Sequence, residues 1–203
     1  MTDAVSDRWA ELVGLGTRNA MSGLSEMTGV TIDVAELALR RAPLSEISHA
    51  FGGAETEAVG IYLTVTGSAD GQLMLMYEPR IAYAFIDLLM GEAPGSTDSL
   101  TEMGRSALGE MGNVIGAFFL SAIANVTGLT LLPSPPEVMT DMAGALFDVI
   151  SAEVLLDRDE TFIAETTFRA QGHDISGVFM VLPTDELLQA LVTASESVSL
   201  GAR

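Results

Sequence analysis

From Ser99 to Pro136 apolar residues recur every three to four positions, and the run then meets a cluster of prolines. Ala107, Met111, Val114, Ile115, Phe118 and Ala122 fall on one side of a helical wheel, which predicts a long helix with that side in a core. Ser106, Glu110 and Asn113 stand at i, i+4 and i+7 on the other side, so a carboxylate and a carboxamide one turn apart are predicted to face outward. Ser99, with Glu102 three residues on, predicts the N-cap, and Thr127-Gly128 predicts the stop. Leu129 to Leu132 then reads as a strand, and Pro133, Pro135 and Pro136 as a rigid connection. An exposed Glu or Asn is most often just solvated. This pair is set apart by its bare surroundings: no charge occurs from Met111 to Pro133, where an ordinary surface helix carries several.

The same alternations can be followed from the start of the chain. Asp7 to Thr28 predicts a helix ended by Gly29, and Val30 to Leu37 a strand with Val30, Ile32 and Val34 on one side. Pro43 precedes a predicted short helix, Leu44 to Ala50. Val59 to Thr66 and Gln72 to Tyr77 predict a hairpin across Gly67–Gly71. Pro79 opens a helix over Ile81 to Met90, and Glu92 to Asp98 reads as a linker. Beyond the prolines come a helical stretch around Ala145 to Val149, a hairpin of Phe162 to Arg169 with Ile175 to Leu182, and a last helix from Thr184 to Ser195.

A shift of 99 positions overlays the chain on itself: Glu11 falls on Glu110, Ser22 on Ser121, Thr28-Gly29 on Thr127-Gly128 and Thr31 on Thr130. Apolar positions follow the same offset, which predicts two copies of one unit, residues 1–95 and 96–203. Each copy reads helix, strand, helix, hairpin, helix. Hairpins require antiparallel pairing, so the expected fold is α+β: an internally duplicated two-layer sandwich of about six largely antiparallel strands, with two long helices related by a pseudo-twofold. Both long helices are rich in glycine, with Gly14, Gly16 and Gly23 in one and Gly104, Gly109, Gly112 and Gly116 in the other. Each mid-helix Gly costs about 1 kcal/mol against Ala, so a reason is needed. Close backbone packing is favoured over clearance for something docking beside Asn113.

Composition narrows the chemistry. There is no Cys, which excludes disulfides, thiolate metal sites and cysteine nucleophiles. The two histidines, His49 and His173, are far apart, which argues against a triad or a His-rich metal site, and no metal or cofactor is expected. The formal net charge is −19, from 28 acidic and 9 basic residues, and every basic residue is Arg. Such a surface repels nucleic acid and anionic membranes and suits a basic protein partner. Met1 to Glu11 has no apolar signal region, and Asn113, Asn125 and the Thr127-Gly128 stop interrupt the long uncharged run, so neither secretion nor membrane insertion is expected and a cytoplasmic location is.

Ser106-x3-Glu110-x2-Asn113, followed by Pro136 and embedded in Ala107-Leu108-Gly109-Glu110-Met111-Gly112-Asn113, resembles the active-site pattern of the CheC, CheX and FliY phosphatases of chemotaxis, most closely CheC. The duplication and length resemble that family too. The resemblance implies hydrolysis of the phosphoaspartate of a CheY-like response regulator. It implies that Asn113 orients the attacking water and that Glu110 pairs with the receiver's lysine. Ser106 and Pro136 would be supporting residues, and Mg²⁺ would reside in the receiver. The family often carries one site per half. Here the first half keeps Asp7 and Glu11, but Gly14 stands where Asn113 stands in the second and Leu37 where Pro136 stands. One working site is therefore expected, in the second half. The alternative is a non-catalytic binding module for CheD or the phosphorylated receiver, and a structural role at the flagellar switch is a third reading. A monomer is expected, because two fused halves already bury what a dimer would.

Overall fold

A computed structural model describes residues 3–43, 52–154, 160–170, 173–183, 188–190 and 193. The elements run α1 (Asp3–Thr28), β1 (Ile32–Pro43), β2 (Glu57–Gly67), β3 (Gly71–Tyr77), α2 (Pro79–Met90), α3 (Glu102–Thr127), β4 (Leu131–Pro133), β5 (Glu137–Met142), α4 (Ala143–Val154), β6 (Glu160–Ala170) and β7 (His173–Pro183). The helix predicted over 44–50 lies outside the described residues. Of the last predicted helix, residues 188–190 and 193 are described, and they are helical.

All strand pairs are antiparallel, in the order β1-β6-β7-β3-β2-β4, with β5 also on β2. The order is palindromic about the β7–β3 pair: β6 answers β2, and β1 answers β4 with β5. This is compatible with two repeats. The strand that follows α1 pairs with the later hairpin, and the strands that follow α3 pair with the earlier one. Among the described residues the sheet has seven strands, close to the six or so expected. Sequence reasoning ended the strand after α3 at the prolines, but an edge strand tolerates proline because its outer groups need no partner. Ser134 carries the pairing through the gap: its N–H donates to Thr64 O at 2.8 Å, and its hydroxyl accepts from Thr64 N at 3.0 Å.

The two long helices pack on each other and on the sheet. They stop in the same way. Thr28 Oγ1 donates to Leu24 O at 2.9 Å and Thr127 Oγ1 to Ile123 O at 2.8 Å, and Gly29 and Gly128 follow with φ of 68° and 73°. That left-handed conformation is nearly free only for glycine. Asn19 Nδ2 donates to Phe118 O at 2.6 Å across a separation of 99 residues, the same offset at which the sequence overlays itself.

The start of α3 differs from expectation. Thr101 is the N-cap, its hydroxyl accepting from Gly104 N at 3.1 Å, whereas Ser99 donates to Asp98. The buried side of α3 is also broader than the sequence suggested. Met111, Ile115 and Ala122 are buried as expected, Leu108, Phe119, Leu120 and Ile123 join them, and Ala107, Val114 and Phe118 are half-buried. The helix is gripped by the sheet and by α1 together, so more than one stripe is covered. It is long and apolar enough to cross a membrane, but here its apolar sides are taken up by those neighbours.

Candidate functional site

Ser106, Glu110 and Asn113 are all exposed on the outer side of α3. Helix geometry puts Glu110 and Asn113 about 4.5 Å apart along the axis and on one face. Among the described residues, no hydrogen bond or ion pair ties down either side chain. The helix behind them is held tightly. A Cβ on Gly112 would lie 2.5 Å from Ile61 Cγ2 on β2, so the backbone beside Asn113 rests almost on the sheet. A Cβ on Gly116 would meet Leu63 Cδ2 at 2.9 Å, and one on Gly104 would meet Ile86 Cδ1 at 2.9 Å. These glycines serve close packing. Gly109 is the exception, its nearest neighbour being Val138 Cγ2 at 3.8 Å.

Pro136 comes alongside the same turn: its Cβ and Cγ are 3.4 and 3.5 Å from the Gly112 Cβ position. Two residues on, Val138 O accepts a hydrogen bond from Arg105 Nη1, and the Val138 side chain faces Gly109. The Pro136–Val138 segment is thus fastened along one flank of α3, where it stiffens the helix that presents Glu110 and Asn113. Arg105 was missed from sequence, because a lone Arg on a polar face carries no signal of a bond 33 residues away.

The first half is arranged differently. Asp7 and Glu11 are exposed on α1, but Glu11 is ion-paired to Arg8. Gly14 is buried, and a Cβ there would meet Arg18 Nη1 at 3.3 Å and Leu37 Cδ2 at 3.6 Å. The Arg18 side chain therefore lies across Gly14, beside Leu37. The nearby amide, Asn19, is turned inward to Phe118 O. This face of α1 presents no carboxamide next to its carboxylates.

Asp87, buried on α2 at 2% exposure, organises the approach to α3. Its Oδ2 accepts from Gly95 N at 2.7 Å and Ser96 N at 3.1 Å, and its Oδ1 from Thr97 N at 2.9 Å. A hydrogen bond from the Thr97 side chain, with help from these backbone donors, holds the carboxyl below its ordinary range. The linker read from sequence is thus anchored by an ionised acid just before the Thr101 cap. Among the described residues, no group of three or more His, Asp or Glu is placed to hold a metal.

The model of the CheC-like family matches residues 103–140, the stretch that holds Ser106, Glu110, Asn113 and Pro136. The CheY-P phosphatase CheC of Bacillus subtilis (strain 168) is 27% identical over 188 residues, covering 91% of this chain and 90% of that protein. The crystal structure of Thermotoga maritima FliY superimposes with a TM-score of 0.77 at 20% identity, covering 98% of each chain. A chain of the CheX-CheY-BeF3-Mg2+ complex from Borrelia burgdorferi has the same fold, with a TM-score of 0.55 at 16% identity over 85% of this chain and 97% of that one. The motif, the near full-length relative and the shared fold agree in their likeness to the CheC, CheX and FliY proteins.

Proposed function

We propose that this protein is a phosphatase that hydrolyses the phosphoaspartate of a CheY-like response regulator. The observation that carries the reading is the exposed Glu110–Asn113 pair on a helix braced from behind at Gly112 and from the side by Pro136–Val138. The name of the Bacillus subtilis relative supports it, as does the fold shared with a chain of the CheX-CheY complex.

An acyl phosphate is already activated. Water attacks phosphorus, the bond from phosphorus to the aspartyl acyl oxygen breaks, its electron pair stays on the carboxylate, and inorganic phosphate leaves carrying the water's protons. What remains for a catalyst is positioning and charge complementarity. The Asn113 amide both accepts and donates without titrating, so it can hold a water in line with that bond. Glu110 pairs with the ammonium of the receiver's lysine and fixes the docked register. Ser106 and Pro136 support the helix. Mg²⁺ belongs to the receiver, and this chain holds no cofactor of its own. On this reading the protein is cytoplasmic and built of the two repeats 1–95 and 96–203, and it is monomeric because two fused halves already bury what a dimer would.

One working site is assigned. In the first half, Gly14 offers no amide, Arg18 lies over it and Glu11 is committed to Arg8. That altered face favours a second reading, in which α1 binds a protein such as CheD without catalysis. The test is loss of phosphate from a phosphorylated cognate receiver with Mg²⁺. Wild type should hasten decay, and Asn113→Ala should lose on the order of a hundredfold, as when one positioned hydrogen-bonding group is removed. Glu110→Ala should lose most of the effect through weaker docking. Full activity in Asn113→Ala would refute the site. Binding without faster decay would favour the module.

A further inference from the structure

Met103 is the most exposed large apolar side chain among the described residues, at 66%. One exposed methionine is ordinary. Its register is not, because Met103 precedes Ser106, Glu110 and Asn113 by three, seven and ten residues on the same helix. At 3.6 residues per turn the four directions fall within an arc of about 80°, and exposed Ala117, four residues past Asn113, falls inside it. The stripe therefore offers an apolar end, an acid, an amide and a small residue in line, with Met103 about 15 Å along the axis from Asn113. Arg105 is turned aside to Val138 O, so no cation interrupts the arc.

The geometry points to Met103 as the apolar anchor of the docking surface for the phosphorylated receiver, an inference that rests on the phosphatase reading. A domain whose phosphoryl group meets Asn113 and whose ammonium meets Glu110 must lie along this stripe, and it reaches Met103 if it carries an apolar patch about 15 Å from its phosphoryl group. A second copy of this chain is the poorer occupant. Each copy carries a net charge of −19, and a self-contact here would bring Glu110 toward further acid. An unbranched methionine suits the role, since it adapts to an irregular partner surface.

The test pairs turnover with binding. KM and kcat are measured with phosphorylated receiver, and Kd with receiver loaded with beryllofluoride and Mg²⁺. Burying two-thirds of a methionine side chain is worth roughly a factor of ten, so Met103→Ala should raise KM and Kd about tenfold, with the loss in KM rather than kcat. Met103→Leu should restore both, and an unchanged thermal melt establishes that Met103→Ala is folded. Asn113→Ala should behave in the opposite way, keeping Kd and losing kcat. Wild-type KM and Kd in Met103→Ala overturn the anchor. So does a concentration-dependent dimer that Met103→Ala abolishes. If wild type binds the loaded receiver without hastening decay, the phosphatase reading falls, and Kd alone decides on Met103. Absence of binding overturns both.

Discussion

Gly109 and Gly112 lie on one helix, three residues apart, and alanine should act on them with opposite sign. Replacing a mid-helix Gly by Ala gains about 1 kcal/mol of propensity at either position. At Gly109 the new methyl would meet Val138 Cγ2 at 3.8 Å, an ordinary contact, so most of the gain should survive. At Gly112 it would arrive 2.5 Å from Ile61 Cγ2, with the Pro136 ring at 3.4 Å on another side. Carbon atoms pack at about 3.5–4.0 Å, so helix and strand must part by about 1 Å or Ile61 must leave its rotamer. Ile61 is fully buried, and the proline ring cannot rotate away. Overpacking of this kind costs about 1–3 kcal/mol. Gly109→Ala should therefore be more stable than Gly112→Ala by about 1–3 kcal/mol, measured by urea unfolding at matched m-values. Phosphatase turnover should survive in Gly109→Ala. If Gly112→Ala proved as stable as Gly109→Ala, the close-packing account would fail. A well-folded but inactive Gly109→Ala would mean that the glycine provides clearance for a docked partner.

Two further outcomes follow from the side chains around the site. The Asp87 carboxyl is held below its usual pKa, so its contribution is present above the unfolded value of about 4 and is lost as pH falls through the folded value. Asp87→Ala should cost about 2 kcal/mol at neutral pH, since three backbone donors lose a charged acceptor, and should flatten the acid limb of a stability-versus-pH curve; an unaltered limb would rule the clamp out. Glu11→Ala breaks only the ion pair to Arg8 and should leave the dephosphorylation rate at the wild-type value; a large drop would mean that the first half takes part in turnover.

The local patterns were the legible part of this sequence. The Thr-Gly stops, the hairpins and the 3.6-residue period of α3 depend on near neighbours, and they appear in the structure with boundaries moved by a few residues. The exposed stripe of Ser106, Glu110 and Asn113 was legible for the same reason. Partners far along the chain were not. Nothing local announces that Arg18 lies over Gly14 beside Leu37, that Arg105 reaches Val138, or that Asp87 gathers three amides of the linker. The seventh strand was hidden by Pro135 and Pro136, which read as a break although the chain resumes its pairing immediately afterward.

Strand crossing ties the early part of the chain to the helix that carries Glu110 and Asn113. The floor under Gly112 and Gly116 is Ile61 and Leu63, and both belong to β2. That strand precedes α3 in the chain, and its outer neighbours, β4 and β5, follow it. A deletion of residues 1–95 would remove the surface against which α3 is seated, and a deletion of 96–203 would strip β2 of its edge. Residues 57–67 are thus the foundation on which the Glu110–Asn113 turn is set, although they lie about fifty residues upstream of it.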